Sequence, residues 1–212
     1  MEPTPIQRDI IQEEGNTVVL AMPGSGKTFV LSEKIRRILE SDVLKDYQGV
    51  IAISYTRKAS GHLKCKTLQN GTNEKNSFFG TIDSFCLTQI ILPFGHYVVG
   101  YPKNEVVPIT ESDLNSDKKI DFEWINKIHP DYEDINESAW ENLYELFKDG
   151  KVLVSSLELM ALHIIKDCPA CRAHLKARFK YVFIDEFQDA DTYTNGIFLE
   201  LIGLGLIGNA VG

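Results

Sequence analysis

Eight residues constrain this chain more than any other stretch: Ala21-Met22-Pro23-Gly24-Ser25-Gly26-Lys27-Thr28. They follow a short apolar β-type run, Thr17–Ala21, and open a segment with helical spacing, Thr28–Glu40. Gly24 and Gly26 let the backbone turn so that successive N–H groups converge on one anion. The helix that follows aims the positive end of its dipole at the same place. Strand, glycine-rich loop and helix, with Lys-Thr at the junction, make a phosphate-binding arrangement. Lys27 would reach the β- and γ-phosphates of a nucleotide, and Thr28 would place its hydroxyl on Mg²⁺. Ala21, Pro23, Gly24, Ser25 and Gly26 complete the cradle, with Ala21 where a first glycine usually stands. The cofactors this implies are ATP and Mg²⁺.

A second apolar run, Tyr181-Val182-Phe183-Ile184, delivers Asp185 and Glu186 at its C-terminal end. In parallel α/β sheets that edge is where ligands sit. Asp185 is expected to hold Mg²⁺, largely through water. Glu186 is expected to orient and deprotonate an attacking water, the general-base role in phosphoryl transfer to water. Between these anchors the pattern repeats. Gly49–Tyr55 is a buried-type run before a polar helical stretch, Lys58–Gln69. Phe78–Gly80 is a short run before a helix over Asp83–Ile91, and Leu206–Val211 reads as a last strand. Strands alternating with helices predict a mostly parallel sheet and an α/β fold.

The net charge is −8, which argues against a generally basic, polyanion-binding surface. The charge is unevenly spread. Residues 104–150 hold thirteen acidic residues against four lysines, a net of −9, so the remainder carries about +1. This stretch also holds Trp124 and Trp140, and Asp121–Ile128 and Glu137–Phe147 have apolar residues at helical spacing. It reads as a small, mainly helical insert. No apolar run approaches the roughly 18 residues of a membrane span. The start, Met1-Glu2-Pro3-Thr4-Pro5, lacks the basic and apolar regions of a signal peptide, so a cytoplasmic protein with no membrane partner is expected. Cys168, Cys171 and His174 could begin a metal site but lack a second pair nearby, and the two cysteines are read as reduced thiols.

Several further motifs run in order. Thr4-Pro5-Ile6-Gln7 precedes the phosphate loop. Ser54-Tyr55-Thr56-Arg57-Lys58-Ala59 and Gly80-Thr81-Ile82-Asp83-Ser84-Phe85 follow the second and third strands, and Asp185-Glu186-Phe187-Gln188-Asp189 closes the acidic strand. With these motifs the chain resembles superfamily 1 DNA helicases of the UvrD/Rep/PcrA type. The resemblance implies a RecA-like phosphate-loop NTPase sheet flanked by helices. Residues 1–100 would be the first part of the ATP-binding lobe, 101–150 an insert at the position of the family's subdomain 1B, and 151–212 the second part of the lobe. It further implies that Gln7 reads adenine and that Gln188 senses the γ-phosphate. Tyr55, Thr56, Arg57, Lys58, Thr81, Asp83 and Ser84 would contact single-stranded DNA. The residues agree: Ser54–Lys66 carries Arg57, Lys58, Lys64 and Lys66 with an aromatic and no acid, charge for a backbone and a ring for a base.

The chain departs from the pattern at Asp83, where the family has His, at Arg57, where it has Asn, and at Phe29, where Arg is common. Ala210-Val211-Gly212 resembles the strand leading into the third helicase motif, whose Asp would come next. A second RecA-like lobe, with its arginine fingers, is expected outside these residues, leaving this piece a weak binder and very slow hydrolase of ATP. The short insert and Ile90-Ile91-Leu92-Pro93-Phe94 also resemble the UvrD-like partner subunits of the Gabija anti-phage system. That points to an alternative: a nucleotide-gated interaction subunit of a defence or repair complex, with a protein partner at the acidic insert.

Overall fold

The computed structural model describes residues 2–22, 24–114 and 137–212. Pro23, Trp124 and the helix expected over Asp121–Ile128 lie outside the described residues. In chain order the strands are β1 (Thr17–Val19), β2 (Gly49–Ile53), β3 (Phe78–Gly80), β4 (Val107–Ile109), β5 (Lys151–Leu153), β6 (Phe179–Asp185) and β7 (Ile207–Val211). The longer helices are α1 (Pro5–Gln12), α2 (Lys27–Glu40), α3 (Arg57–Thr67) and α4 (Ile82–Val99). After them come α5 (Glu137–Lys148), α6 (Leu157–Asp167), α7 (Pro169–Arg178) and α8 (Thr192–Gly203).

The chain divides into two compact units. The first comprises Met1–Ile82, Ala173–Ala190 and Phe198–Gly212, the second Asp83–Arg172 and Asp191–Ile197. The expected 101–150 insert falls within the second.

The first unit is built on a five-stranded sheet in the order β1-β7-β6-β2-β3, parallel at every pairing. Its middle strands are apolar throughout: all of β2 is buried, as are Val182, Phe183 and Ile184 of β6. Strands without polar alternation need cover on both faces. On α2, Leu31, Ile35 and Leu39 recur at intervals of four and pack against Val50, Tyr181 and Phe183. Because all five strands run the same way, β1, β2, β3 and β6 deliver the residues after them to one edge.

In the second unit, α4 continues past the expected end at Ile91. Pro93 lacks the N–H an α-helix interior needs, but a π-helical turn over Cys86–Ile91 widens the helix just before it and absorbs the break. The resulting 18-residue helix has a mean hydropathy of 1.3, the length and composition of a membrane span that the sequence reading had not anticipated. Phe85, Cys86, Ile90, Ile91 and Val99 are buried along it, which is the stripe of a core helix. The second unit also holds a two-stranded parallel pairing of β4 with β5 and the helix α5, which buries Ala139, Leu143, Leu146 and Phe147. Cys168 and Cys171 are free thiols. Both are buried, the Cys171 N–H donates to Cys168 Sγ at 3.5 Å, and burial pushes the Cys171 thiol up to about 12.

Candidate active site

The loop between β1 and α2 turns on Gly24 (φ 80°) and Gly26 (φ 89°), both left-handed. A side chain at 26 would also meet Gln7 Nε2 at 2.9 Å from its Cβ. Ala21 keeps a negative φ, so the first position of the loop does not need a glycine here. Its N–H instead extends the sheet, donating to the carbonyl of Gly212 at 2.8 Å. Lys27 then opens α2 with its side chain 12% exposed.

Across the sheet, β6 ends in Asp185 and Glu186. Lys27 Nζ lies 3.4 Å from Glu186 Oε2, and Thr28 Oγ1 donates to Asp185 Oδ2 at 3.5 Å. Residues 157 to 159 apart in sequence thus share one site. Asp185 is 3% exposed, and its Oδ1 is buried without a partner. Burial raises its pKa, with Glu186 adding and Lys27 and Thr28 opposing. A buried carboxylate oxygen with no donor, beside a threonine hydroxyl at the start of a helix, is a donor set that fits a hard divalent cation. Glu186 stands in the left-handed region (φ 58°, ψ 43°), a strained conformation of the kind kept at functional sites. Gln188 Nε2 donates to its Oε2 at 2.6 Å, and this hydrogen bond, helped by Lys27, holds the Glu186 pKa below the usual range. The site therefore offers one carboxylate that retains charge and one that is desolvated.

Gln7 reaches the loop from α1. Its Oε1 accepts from the Thr4 N–H at 3.0 Å, and its Nε2 donates to the Ser25 carbonyl at 3.0 Å. These two contacts use one of its two N–H groups and one of the two lone pairs of its oxygen. The cavity over the loop, of about 1210 Å³, is lined by Gln7, the loop, Glu186 and Gln188.

The sequence model of the UvrD/REP helicase N-terminal domain matches residues 4–149. The chain belongs to that family. It is 27% identical over 198 residues to the Gabija protein GajB of Bacillus cereus, covering 92% of this chain and 36% of that protein. It is 25% identical over 206 residues to DNA helicase II of Escherichia coli, covering 83% of this chain and 28% of that one. Against the ATP-dependent DNA helicase SRS2 of Saccharomyces cerevisiae the identity is 24% over 240 residues, at 90% and 20%. The chain spans about a third or less of the length of these curated relatives.

The residues matching this helicase family's strand-contacting motifs fall in both units. Thr56 caps α3, accepting from the Ala59 N–H at 3.1 Å, and leaves Arg57 and Lys58 exposed on the first turn. Tyr55 and Thr81 stand at the same sheet edge, after β2 and β3. The basic stretch does not act as one surface. Lys64 is paired with Glu74 at 2.7 Å and lies over the Phe79 ring, while Lys66 lines the nucleotide-sized cavity. Asp83 and Ser84 begin α4 in the second unit. There Asp83 is hydrogen-bonded to Glu158.

Sequence reasoning missed the far wall of the cavity: Ser32, Glu33 and Arg36 on α2, His62 and Lys66 on α3, and Gln69 just after it. Both sets recur at helical spacing, and that stripe, counted outward from Thr28, was the available signal.

Proposed function

We propose that the chain is the ATP-binding N-terminal lobe of a cytoplasmic, ATP-dependent superfamily 1 DNA helicase or translocase, coupling ATP hydrolysis to movement on single-stranded DNA. The observation that carries this reading is the meeting of Lys27 with Glu186 and of Thr28 with Asp185. Mg²⁺ held by Thr28 and Asp185 would neutralise charge on the phosphate oxygens. The loop N–H groups between Gly24 and Thr28 bind the phosphates, and Lys27 exchanges its contact with Glu186 for them. Glu186, kept ionised by Gln188 and Lys27, orients the attacking water and takes its proton. Gln188 positions that carboxylate and so couples its orientation to the phosphate end of the ligand. Tyr55, Thr56, Arg57, Lys58 and Thr81 stand at the same sheet edge and supply contacts to a single strand.

The test is ATP turnover with and without single-stranded DNA, on the 212-residue chain and on the longest protein that contains it. DNA stimulation in the longer protein, lost in Glu186→Gln, is the expected result. A rate that DNA leaves flat overturns the motor reading. A second reading, a nucleotide-gated subunit with a protein partner on the acidic 104–150 stretch, is favoured by the similarity to GajB across 92% of the chain. Biological function surviving in Glu186→Gln would select it.

A further inference from the structure

Gly212 follows β7 at the point where the phosphate loop begins. Its N–H donates to the Val19 carbonyl at 2.9 Å, and its own carbonyl accepts from the Ala21 N–H at 2.8 Å. These two bonds to the end of β1 hold its backbone in place. Gln188 stands where a side chain at 212 would go. A Cβ there would lie 2.8 Å from Gln188 Oε1 and 3.2 Å from the Gln188 backbone nitrogen, inside the roughly 3.5 Å of ordinary contact.

The same amide reaches the acidic strand end through its other atom. Gln188 Nε2 donates to Glu186 Oε2 at 2.6 Å, while Oε1 is turned toward Gly212. Chemistry fixes that orientation, because an ionised carboxylate only accepts and so draws the NH₂ end. A methyl group at 212 would push on one end of an amide whose other end holds the carboxylate. The backbone at 212 cannot retreat without breaking its two bonds to β1. Its φ is not left-handed, so alanine suits the chain there. The Gln188 side chain is exposed, and its amide is the part that gives way.

We propose that Gly212 is a positioning residue for hydrolysis: its missing side chain reserves the space in which Gln188 holds Glu186 toward the attacking water. The inference rests on the nucleotide-site reading above and adds to it the end of a third strand. The residue that anchors Ala21 at the start of the phosphate loop is also the one that walls in Gln188, so loop and base share one support. Gly212 acts on the carboxylate only through Gln188.

The test has two arms, and the first needs no nucleotide. In the isotope-labelled 212-residue chain, the side-chain amide resonance of Gln188 is assigned by its loss in Gln188→Ala. One of its protons is expected to be shifted by the carboxylate partner. Gly212→Ala should return it to the position of a solvent-exposed glutamine, with the melting temperature unchanged. The second arm measures kcat and KM for ATP with Mg²⁺ on the longest protein that contains the chain. Gly212→Ala should lower kcat about 10–100-fold with KM unchanged, the cost of a misplaced catalytic group. Gln188→Ala should fall as far. The double variant should fall no further than Gln188→Ala alone, because no amide is left to displace. Losses that multiply in the double variant, a wild-type kcat in either single variant, or an amide resonance that Gly212→Ala does not move would overturn the proposal. A lower melting temperature together with a raised KM overturns it too, since Gly212 would then support the loop alone. Lys27→Ala keeps the two readings apart: if it leaves kcat and KM unchanged, the nucleotide-site reading fails, whatever the amide resonance shows.

Discussion

Gln7 Nε2 donates to the Ser25 carbonyl at 3.0 Å, tying the cap of α1 to the phosphate loop eighteen residues further on. The same side chain closes a capping box with Thr4. Gln7→Glu separates the two roles. A carboxylate can still accept from the Thr4 N–H but cannot donate to Ser25, and it would face a carbonyl oxygen instead. The melting temperature is therefore expected to move little. Affinity for ATP should fall roughly tenfold, the effect of one lost bond in the loop's support plus a misplaced charge. A titration of the wild type and the Gln7→Glu variant with a fluorescent nucleotide checks this. Gln7→Ala should lose both the cap, about 1 kcal/mol of stability, and the affinity.

Glu186 combines a charged role with a left-handed backbone, so two substitutions there should part company. Glu186→Gln retains the backbone conformation and is expected to lower hydrolysis about 10²–10⁴-fold with ATP binding retained. Glu186→Gly loses hydrolysis as well, but releases the strain at φ 58° and should raise stability by about 1 kcal/mol. Turnover measured beside denaturant unfolding distinguishes them. A glycine variant no more stable than the glutamine one would mean the conformation carries no cost.

Lys34, on the buried side of α2, is 4% exposed with Nζ 3.4 Å from Thr17 Oγ1. Burial pushes its pKa down from 10.5 to about 8, with Glu13 opposing and Arg37 adding. Between those pH values the unfolded chain holds a proton that the folded chain has released. Stability should therefore rise as pH increases from 8 to 10.5, and the full penalty is present below 8. Lys34→Met keeps the stem and removes the charge. It should stabilise the protein by about 1–3 kcal/mol at pH 7 and flatten the alkaline slope. Urea unfolding at pH 7 and pH 10 reads both.

Glu158 behaves in the opposite sense. Burial, then its hydrogen bond with Asp83, pushes its pKa from 4.5 up to about 8, with charge from Asp83 and Asp191 adding. From pH 4.5 to 8 the folded chain keeps a proton that the unfolded chain has lost, so the stabilisation is complete below 4.5 and gone once pH passes 8. Glu158→Gln retains a hydrogen-bonding partner for Asp83 without a proton to lose. The wild-type melting temperature should drop between pH 5 and 8.5 relative to that of Glu158→Gln. Parallel curves would place the ionisable group elsewhere.

The phosphate loop and the acidic strand end were legible because their chemistry fixes residue type at fixed spacing. Gly24 and Gly26 answer a steric demand, Lys27 and Thr28 a chemical one, and Asp185 and Glu186 need only follow an apolar strand. Other features turned on competition between rules. Thr4 and Gln7 carried the capping-box spacing in plain view, yet one side chain serves helix and loop together, and only three-dimensional proximity to Ser25 reveals the second use. Pro93 reads as a helix stop and is overridden by the π-helical turn that precedes it. Glu33 and Arg36 look like an ordinary exposed ion pair one turn apart on a helix, and the cavity beside them cannot be read from α2 alone.

The position of β7 has a consequence for how the protein is made. Among the described residues β1 pairs with β7 and no other strand, through Thr17 to Asn209, Val18 to Ala210 and Val19 to Val211. The strand that bears the phosphate loop leaves the ribosome early and waits about 190 residues for its neighbour. Joining segments that far apart carries a loop-closure cost that local contacts do not repay. The nucleotide cradle is thus completed only after β7 has been made. A nascent chain that has not yet reached Ile207 holds the loop's own strand without its sheet neighbour.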